Sequence, residues 1–181
     1  MLKNQFTWID YPAQYENEIE TWCDEAATRF ALDSDSVKTE HQWYLNAEDY
    51  TYGSNYLCKI ALDGETPVAL VMLAIYTRET AVYPTENIVY IDTIIINPAL
   101  RGQGYGTQIL YDIIHHADQL MNSKDNIFVA QIHKDNSASK LIVNKLGFQF
   151  ICTETEANDT WFNWIYPASA TERFLACQQN T

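Results

Sequence analysis

Residues 88–120 read IVYIDTIIINPALRGQGYGTQILYDIIHHADQL. A mostly apolar run ends at Ile96 and gives way to Asn97-Pro98. Arg101-Gly102-Gln103-Gly104-Tyr105-Gly106 follows, and then a segment with Ile109, Leu110, Ile113, Ile114, Ala117 and Leu120 on one helical face. The pattern predicts strand, glycine turn and amphipathic helix. Glycine reaches backbone conformations closed to residues with a Cβ, so successive N–H groups can turn toward one point. The helix start adds its unpaired amides and the positive end of its dipole. The combination predicts a pyrophosphate site, and hence a phosphorylated cofactor.

The spacing narrows the choice. A dinucleotide fingerprint needs G-x-G-x-x-G directly after a strand and an acid about 20 residues on. Here the glycines run G-x-G-x-G, and Pro98-Ala99-Leu100-Arg101 separates them from the strand. Asp112 and Asp118, the first acids downstream, lie within the helix pattern, and no G-x-x-x-x-G-K-[ST] string occurs. The hexad instead resembles the acyl-CoA signature of the GNAT family of N-acetyltransferases, Arg/Gln-x-x-Gly-x-Gly/Ala. Ile96-Asn97-Pro98 resembles that family's lead-in.

Asn136-Ser137-Ala138-Ser139-Lys140-Leu141-Ile142-Val143-Asn144-Lys145-Leu146-Gly147-Phe148 resembles the family's second motif. Asn136 suits an N-cap, Leu141, Ile142 and Leu146 give an apolar face, and Gly147 suits a left-handed C-terminal cap. The likeness covers about residues 88–150, while the N-terminal third matches only in layout.

Composition points to one enzyme-sized domain over residues 1–181. Within it, the signature occupies about 88–121, the second motif about 126–150 and an acceptor-side region about 1–60. Apolar residues make up 47%, far from disordered composition. No apolar run would span a bilayer, and the first residues lack a signal-peptide core, so a cytoplasmic location is expected. Cys23, Cys58, Cys152 and Cys177 are scattered with no metal-ligand spacing, predicting reduced thiols and no metal. A net charge of −13 argues against nucleic acid or an anionic membrane as partner. Coenzyme A, itself an anion, would depend on local donors: the glycine-turn amides, Arg101, and Lys134 or Lys140. Acids crowd the first 50 residues (among them Glu16, Glu18, Glu20, Asp24, Glu25, Asp33, Asp35, Glu40, Glu48, Asp49), which suits either solubility or a cationic acceptor.

Patterning gives strands at 5–9, 56–62, 67–77, 87–97, 126–133, 148–156 and 160–166. Helices are expected at 15–30, within 33–52, at 103–121 and at 136–146, and Asp63-Gly64 marks a hairpin. This is an α/β (α+β) order: a mixed, twisted sheet of six to seven strands with about four helices. The resemblance implies the acyl-CoA N-acyltransferase fold, in which two central parallel strands splay to admit the thioester arm. It also implies acetyl-CoA contacts from the backbone of Ile94, Ile95 and Ile96, from Arg101, Gly102, Gln103, Gly104, Tyr105, Gly106 and Thr107, and from Asn136.

Attack on a thioester needs a neutral amine, so a general base is expected. Strand alternation would put Ile88, Tyr90, Asp92, Ile94 and Ile96 on one face, with Asp92 as its one charge. Burial there would raise its pKa toward neutrality. The alternative role for Asp92 is structural. Gln131 stands where some relatives carry the acid, and Val143 where many carry a tyrosine that protonates the leaving thiolate. Tyr105, Cys152 and His133 are substitutes by position. The expected activity is acetyl transfer to a primary amine in a ternary complex. The alternatives are a non-catalytic acyl-CoA-binding module and, less suited to the glycine spacing, a nucleotide-binding domain. Trp43, Tyr44, Tyr50, Tyr52 and Tyr56 could line an aromatic acceptor pocket or belong to the core. Trp161, Asn163 and Ile165 alternate with Phe162, Trp164 and Tyr166, and the second aromatic face would need a cover. Residues 168–177 or a homodimer partner could supply it.

Overall fold

A computed structural model describes residues 6–32, 36–46, 55–78, 86–121, 126–156 and 159–170. In chain order the main elements are β1 (Thr7–Asp10), α1 (Glu16–Glu20), α2 (Glu25–Phe30), α3 (Val37–Asn46), β2 (Asn55–Asp63), β3 (Thr66–Arg78) and β4 (Glu86–Ile96). Then come α4 (Tyr105–His115), α5 (Ala117–Met121), β5 (Asn126–His133), α6 (Ser137–Lys145), β6 (Gln149–Glu156) and β7 (Asp159–Tyr166). The strands form one sheet in the order β1-β2-β3-β4-β5-β7-β6. The β4–β5 pair is parallel and the other pairs are antiparallel.

Two helix expectations need correction. The segment at 15–30 is two helices, because Asp24 takes an extended conformation and caps α2 by accepting from the Ala27 amide at 3.0 Å. The segment at 103–121 breaks at His116, whose φ of −124° and ψ of 24° leave the helical range and separate α4 from α5.

Each face of the sheet has its own core. On one face α4 and α6 pack Ile109, Leu110, Ile113 and Val143 against Val89, Ile91, Phe128, Ala130 and Ile132. On the other, Ile19, Trp22, Ala27 and Val37 of the N-terminal helical region cover Ile60, Leu70, Met72 and Ile95. Burying a side chain such as Ile109 or Ile60, both 0% exposed, contributes about 1.5–3 kcal/mol. Both faces of β7 are covered within the chain: Trp164 joins the first core, and Ile165 packs with Ile88, Ile127, Val129 and Ala170. Ala170, within the 168–177 segment, thus supplies cover to the second face from within the chain, the first of the two expected alternatives. Phe174, Leu175, Tyr50, Tyr52, Cys177, Asp33, Asp35, Glu48 and Asp49 lie outside the described residues.

Candidate active site

The parallel ladder of β4 and β5 runs from Asn87 opposite Asn126 to Ile91 opposite Ala130 and stops. Beyond it, β4 stays with β3 while Gln131–His133 stay with β7. The two strands diverge, leaving a fork with Asp92 and Gln131 as the first residue on either arm.

A β-bulge lies at the fork. In the β3–β4 ladder Leu73 faces Ile91 and Met72 faces Thr93, so Asp92 is an extra residue on its strand. The bulge breaks the alternation expected across residues 88–96. Val89 and Ile91 share a core with Ile94 and Ile96, whereas Ile88, with Tyr90 against it, belongs to the opposite face, as does Ile95. Asp92 is thus exposed rather than buried among isoleucines. The argument for a raised pKa by desolvation does not apply to it.

The same ladder sorts the three isoleucines by backbone direction. The Asn97 amide donates to the Val68 carbonyl at 3.0 Å. Alternation then turns the Ile95 amide toward β3 and those of Ile94 and Ile96 toward the fork. Two of the three expected amides face the space for an acyl arm, and the third belongs to the sheet.

At the end of β4, Asn97 accepts from the Ala99 amide at 3.1 Å and starts a short turn that delivers the glycine hexad. Gly102 and Gly104 have φ of +76° and +88°. A β-carbon on Gly102 would meet nothing within 4 Å, and one on Gly104 only Gln108 Nε2 at 3.8 Å. These glycines are there for their backbone conformation, and they border open space. Gly104 caps α4, whose first intrahelical bond runs from the Gln108 amide to the Gly104 carbonyl at 3.2 Å. The amides of Tyr105, Gly106 and Thr107 precede that bond at the positive end of the dipole. This is a cradle a pyrophosphate fits.

Gly106 also serves packing: its β-carbon would fall 2.9 Å from Ile142 Cδ1. Gln103 donates from its side chain to the Ala99 carbonyl at 3.1 Å, bracing the loop. Arg101 is turned toward the N-terminal helices, where its guanidinium pairs with Asp24 and its Nε donates to the Ile96 carbonyl at 3.2 Å. The Arg101–Asp24 hydrogen bond holds the Asp24 carboxyl below its ordinary range. Lys140 donates to the Lys134 carbonyl at 2.5 Å, and Asn136 caps α6 by accepting from the Ser139 amide at 3.1 Å.

The expected proton donors are engaged elsewhere. The Tyr105 hydroxyl donates to Asp63 at 2.9 Å. His133 is buried; its Nδ1 accepts from the Asp135 amide at 3.2 Å, so Nε2 carries the proton and donates to Asp159 at 3.2 Å. Cys152 accepts from Asn163 at 3.6 Å. Val143 is 2% exposed, inside the core.

Patterning alone did not find what surrounds Asp92. The Tyr44 hydroxyl of α3 donates to Asp92 Oδ2. Tyr44 stacks on Tyr56 at 4.5 Å with an interplanar angle of 9°. Tyr56 and His41 approach to 3.4 Å through oxygen and Nδ1, and burial lowers the His41 pKa. Burial also raises the Tyr56 pKa, so its hydroxyl stays protonated. Opposite Asp92, the Gln131 side chain donates to Glu154 at 2.9 Å, bringing a carboxylate of β6 toward the other arm of the fork. Among the described residues no group of His, Cys, Asp and Glu could hold a metal, and no helix is long and apolar enough to cross a membrane.

The family model of the acetyltransferase (GNAT) family matches residues 13–148. No curated protein matches the chain. Solved structures do match its fold. An aminoglycoside acetyltransferase, AAC(6')-Ib, in complex with coenzyme A and kanamycin is 14% identical with a TM-score of 0.64, over 93% of this chain and 98% of that one. The ribosomal-protein-alanine N-acetyltransferase from Brucella melitensis is 14% identical with a TM-score of 0.59, over 88% and 98%. An acetyltransferase from Salmonella typhimurium that modifies the N-terminal serine of ribosomal protein L7/L12 is 13% identical with a TM-score of 0.61, over 91% and 96%.

Proposed function

This chain belongs to the acetyltransferase (GNAT) family and is an acetyl-CoA-dependent N-acetyltransferase, and we propose that Asp92 is its general base. The observation that carries this is the position of Asp92: an exposed carboxylate on a bulge, at the point where β4 and β5 part. In the proposed reaction the amides of residues 102–107 hold the pyrophosphate, with Arg101 closing the loop onto Asp24. The Ile94 and Ile96 amides meet the acyl-pantetheine arm, and an amide aimed at the thioester oxygen stabilises the oxyanion as it forms. Asn136 fixes the start of α6 beside this path. Asp92 takes a proton from the ammonium, directly or through water. The freed nitrogen lone pair then attacks the thioester carbon, the nitrogen gives up its second proton to solvent water, and the tetrahedral intermediate expels the CoA thiolate. No hydroxyl comes from α6, since Val143 is in the core.

The acceptor is proposed to be a cationic primary amine. Asp92, Glu154 and the acidic N-terminal third support this, and structural neighbours act on an aminoglycoside and on protein N-termini. We further propose a single domain, a cytoplasmic location and a homodimer. Phe150 and Leu141, 44% and 71% exposed, support the dimer. An amine panel containing spermidine, kanamycin, lysine and peptides with free N-termini, read by CoA thiol release, tests the reading. Release that depends on one amine class supports it. CoA binding without release across the panel would favour a non-catalytic module.

A further inference from the structure

Asp92 lies outside the regular ladder, so the sheet alone does not fix its carboxylate. We propose that Tyr44 is the positioning residue for Asp92, orienting the carboxylate at the mouth of the fork. This rests on reading Asp92 as the base.

The sequence of α3 brings Tyr44 to this place. Val37, Glu40, His41 and Tyr44 are spaced i, i+3, i+4, i+7 and form the inward stripe, with Val37 0% and Glu40 4% exposed. The Tyr44 ring lies parallel to Tyr56 of β2, and Trp43 meets it at 5.0 Å and 74°. With its plane held, the direction of the hydroxyl is set, and it donates to Asp92 Oδ2. Thr93 Oγ1 lies 3.4 Å from the same oxygen, yet it is 2.5 Å from the Ala31 carbonyl. A hydroxyl has one proton, and the shorter bond takes it. Of these two hydroxyls, Tyr44 is therefore the donor to that carboxylate oxygen.

A donor to the ionised form favours it, which gives the contact a signature in the carboxyl's titration, while its part in the reaction is orientation. The carboxylate takes the ammonium proton while Tyr44 keeps its own. No proton is lost by the tyrosine, and none is required from it. Among the described residues, the titratable groups beside the pair include Tyr56, whose hydroxyl stays protonated, His41, whose pKa burial lowers, and Glu40, which acts on Tyr56. Because α3 is one of the acceptor-side helices, an acceptor seated against it would meet a base already oriented by the same helix.

The test compares Tyr44→Phe, Asp92→Asn and the double variant, each checked for folding by circular dichroism; the phenylalanine keeps the stacked ring. First, the Asp92 carboxyl is followed by carbon-13 NMR titration, assigned by its loss in Asp92→Asn, with no acceptor present. Tyr44→Phe is expected to move its titration upward by about one unit; an unmoved titration would overturn the proposal. Second, kcat is measured with acetyl-CoA and the fastest amine of the panel. Tyr44→Phe is expected to lower kcat roughly tenfold with the KM for acetyl-CoA unchanged, and to add nothing in the Asp92→Asn background. Losses that multiply would show Tyr44 acting independently of Asp92 and would also overturn it. Wild-type turnover in Asp92→Asn alone would instead refute the base assignment, a separate failure.

Discussion

Ile142 Cδ1 stands where a β-carbon on Gly106 would come within 2.9 Å, so the last glycine of the hexad sets the approach of α6 to α4. Gly106→Val is expected to cost about 1–3 kcal/mol by overpacking. Truncating the neighbour, in the pair Gly106→Val with Ile142→Ala, is expected to cost less than the two single changes combined. Urea unfolding of the four proteins measures this, and strict additivity would mean the contact is not what Gly106 serves.

Gly104 answers to a different constraint. A side chain there has room, but its φ of +88° disfavours any residue with a Cβ, and Val most of all. Gly104→Val should therefore abolish CoA binding by rearranging the cradle, with the fold largely kept. Titration calorimetry against CoA checks it; unchanged affinity in a folded variant would remove the pyrophosphate assignment.

Much of the fold was legible because the signals were local. The hexad, the Asp63-Gly64 hairpin and the Asn136 cap are each written in a few adjacent residues, and Gly64 and Gly147 take positive φ as their positions demand. The bulge at Asp92 was not legible. It depends on how β4 registers against β3, and an inserted residue reverses every later face without changing the apolar composition of the run. Tyr44 was legible as a pocket or core aromatic, but its hydrogen bond to Asp92 was hidden for a related reason. The inward stripe of α3 carries a glutamate, a histidine and a tyrosine, so it resembles a solvated face until Asp92 and Tyr56 are placed beside it.

Asp24 joins the α2 cap to the signature loop through Arg101. Its folded pKa is lowered, first by the Arg101 hydrogen bond, so the stabilisation is fully present above the ordinary carboxylate pKa of about 4. It is lost as pH falls through the lowered folded value. Asp24→Asn should keep the cap and lose the ion pair. For a side chain 40% exposed, that change is expected to be worth no more than about 1 kcal/mol at pH 7. Asp24→Ala should lose the cap as well, costing about 1 kcal/mol more. Urea unfolding at pH 7 and pH 3 tests both, and the difference between wild type and Asp24→Asn should shrink at the lower pH.

If Phe150 and Leu141 form a dimer surface, Phe150→Glu should convert a two-chain species into one of about 20.9 kDa without loss of secondary structure. Light scattering at micromolar concentration reads the change. A wild-type protein already at 20.9 kDa under those conditions would rule out the dimer.

The most direct test of the account is the pH dependence of turnover in Asp92→Asn, measured by thiol release with acetyl-CoA and a saturating amine. The substitution keeps the shape of the side chain and removes its basicity. At neutral pH turnover should fall roughly 10²-fold or more with acetyl-CoA affinity near wild type, and the deficit should narrow as pH rises and free amine accumulates. Wild-type turnover from pH ~6 to ~9 would contradict the account and leave Asp92 a structural residue of the bulge.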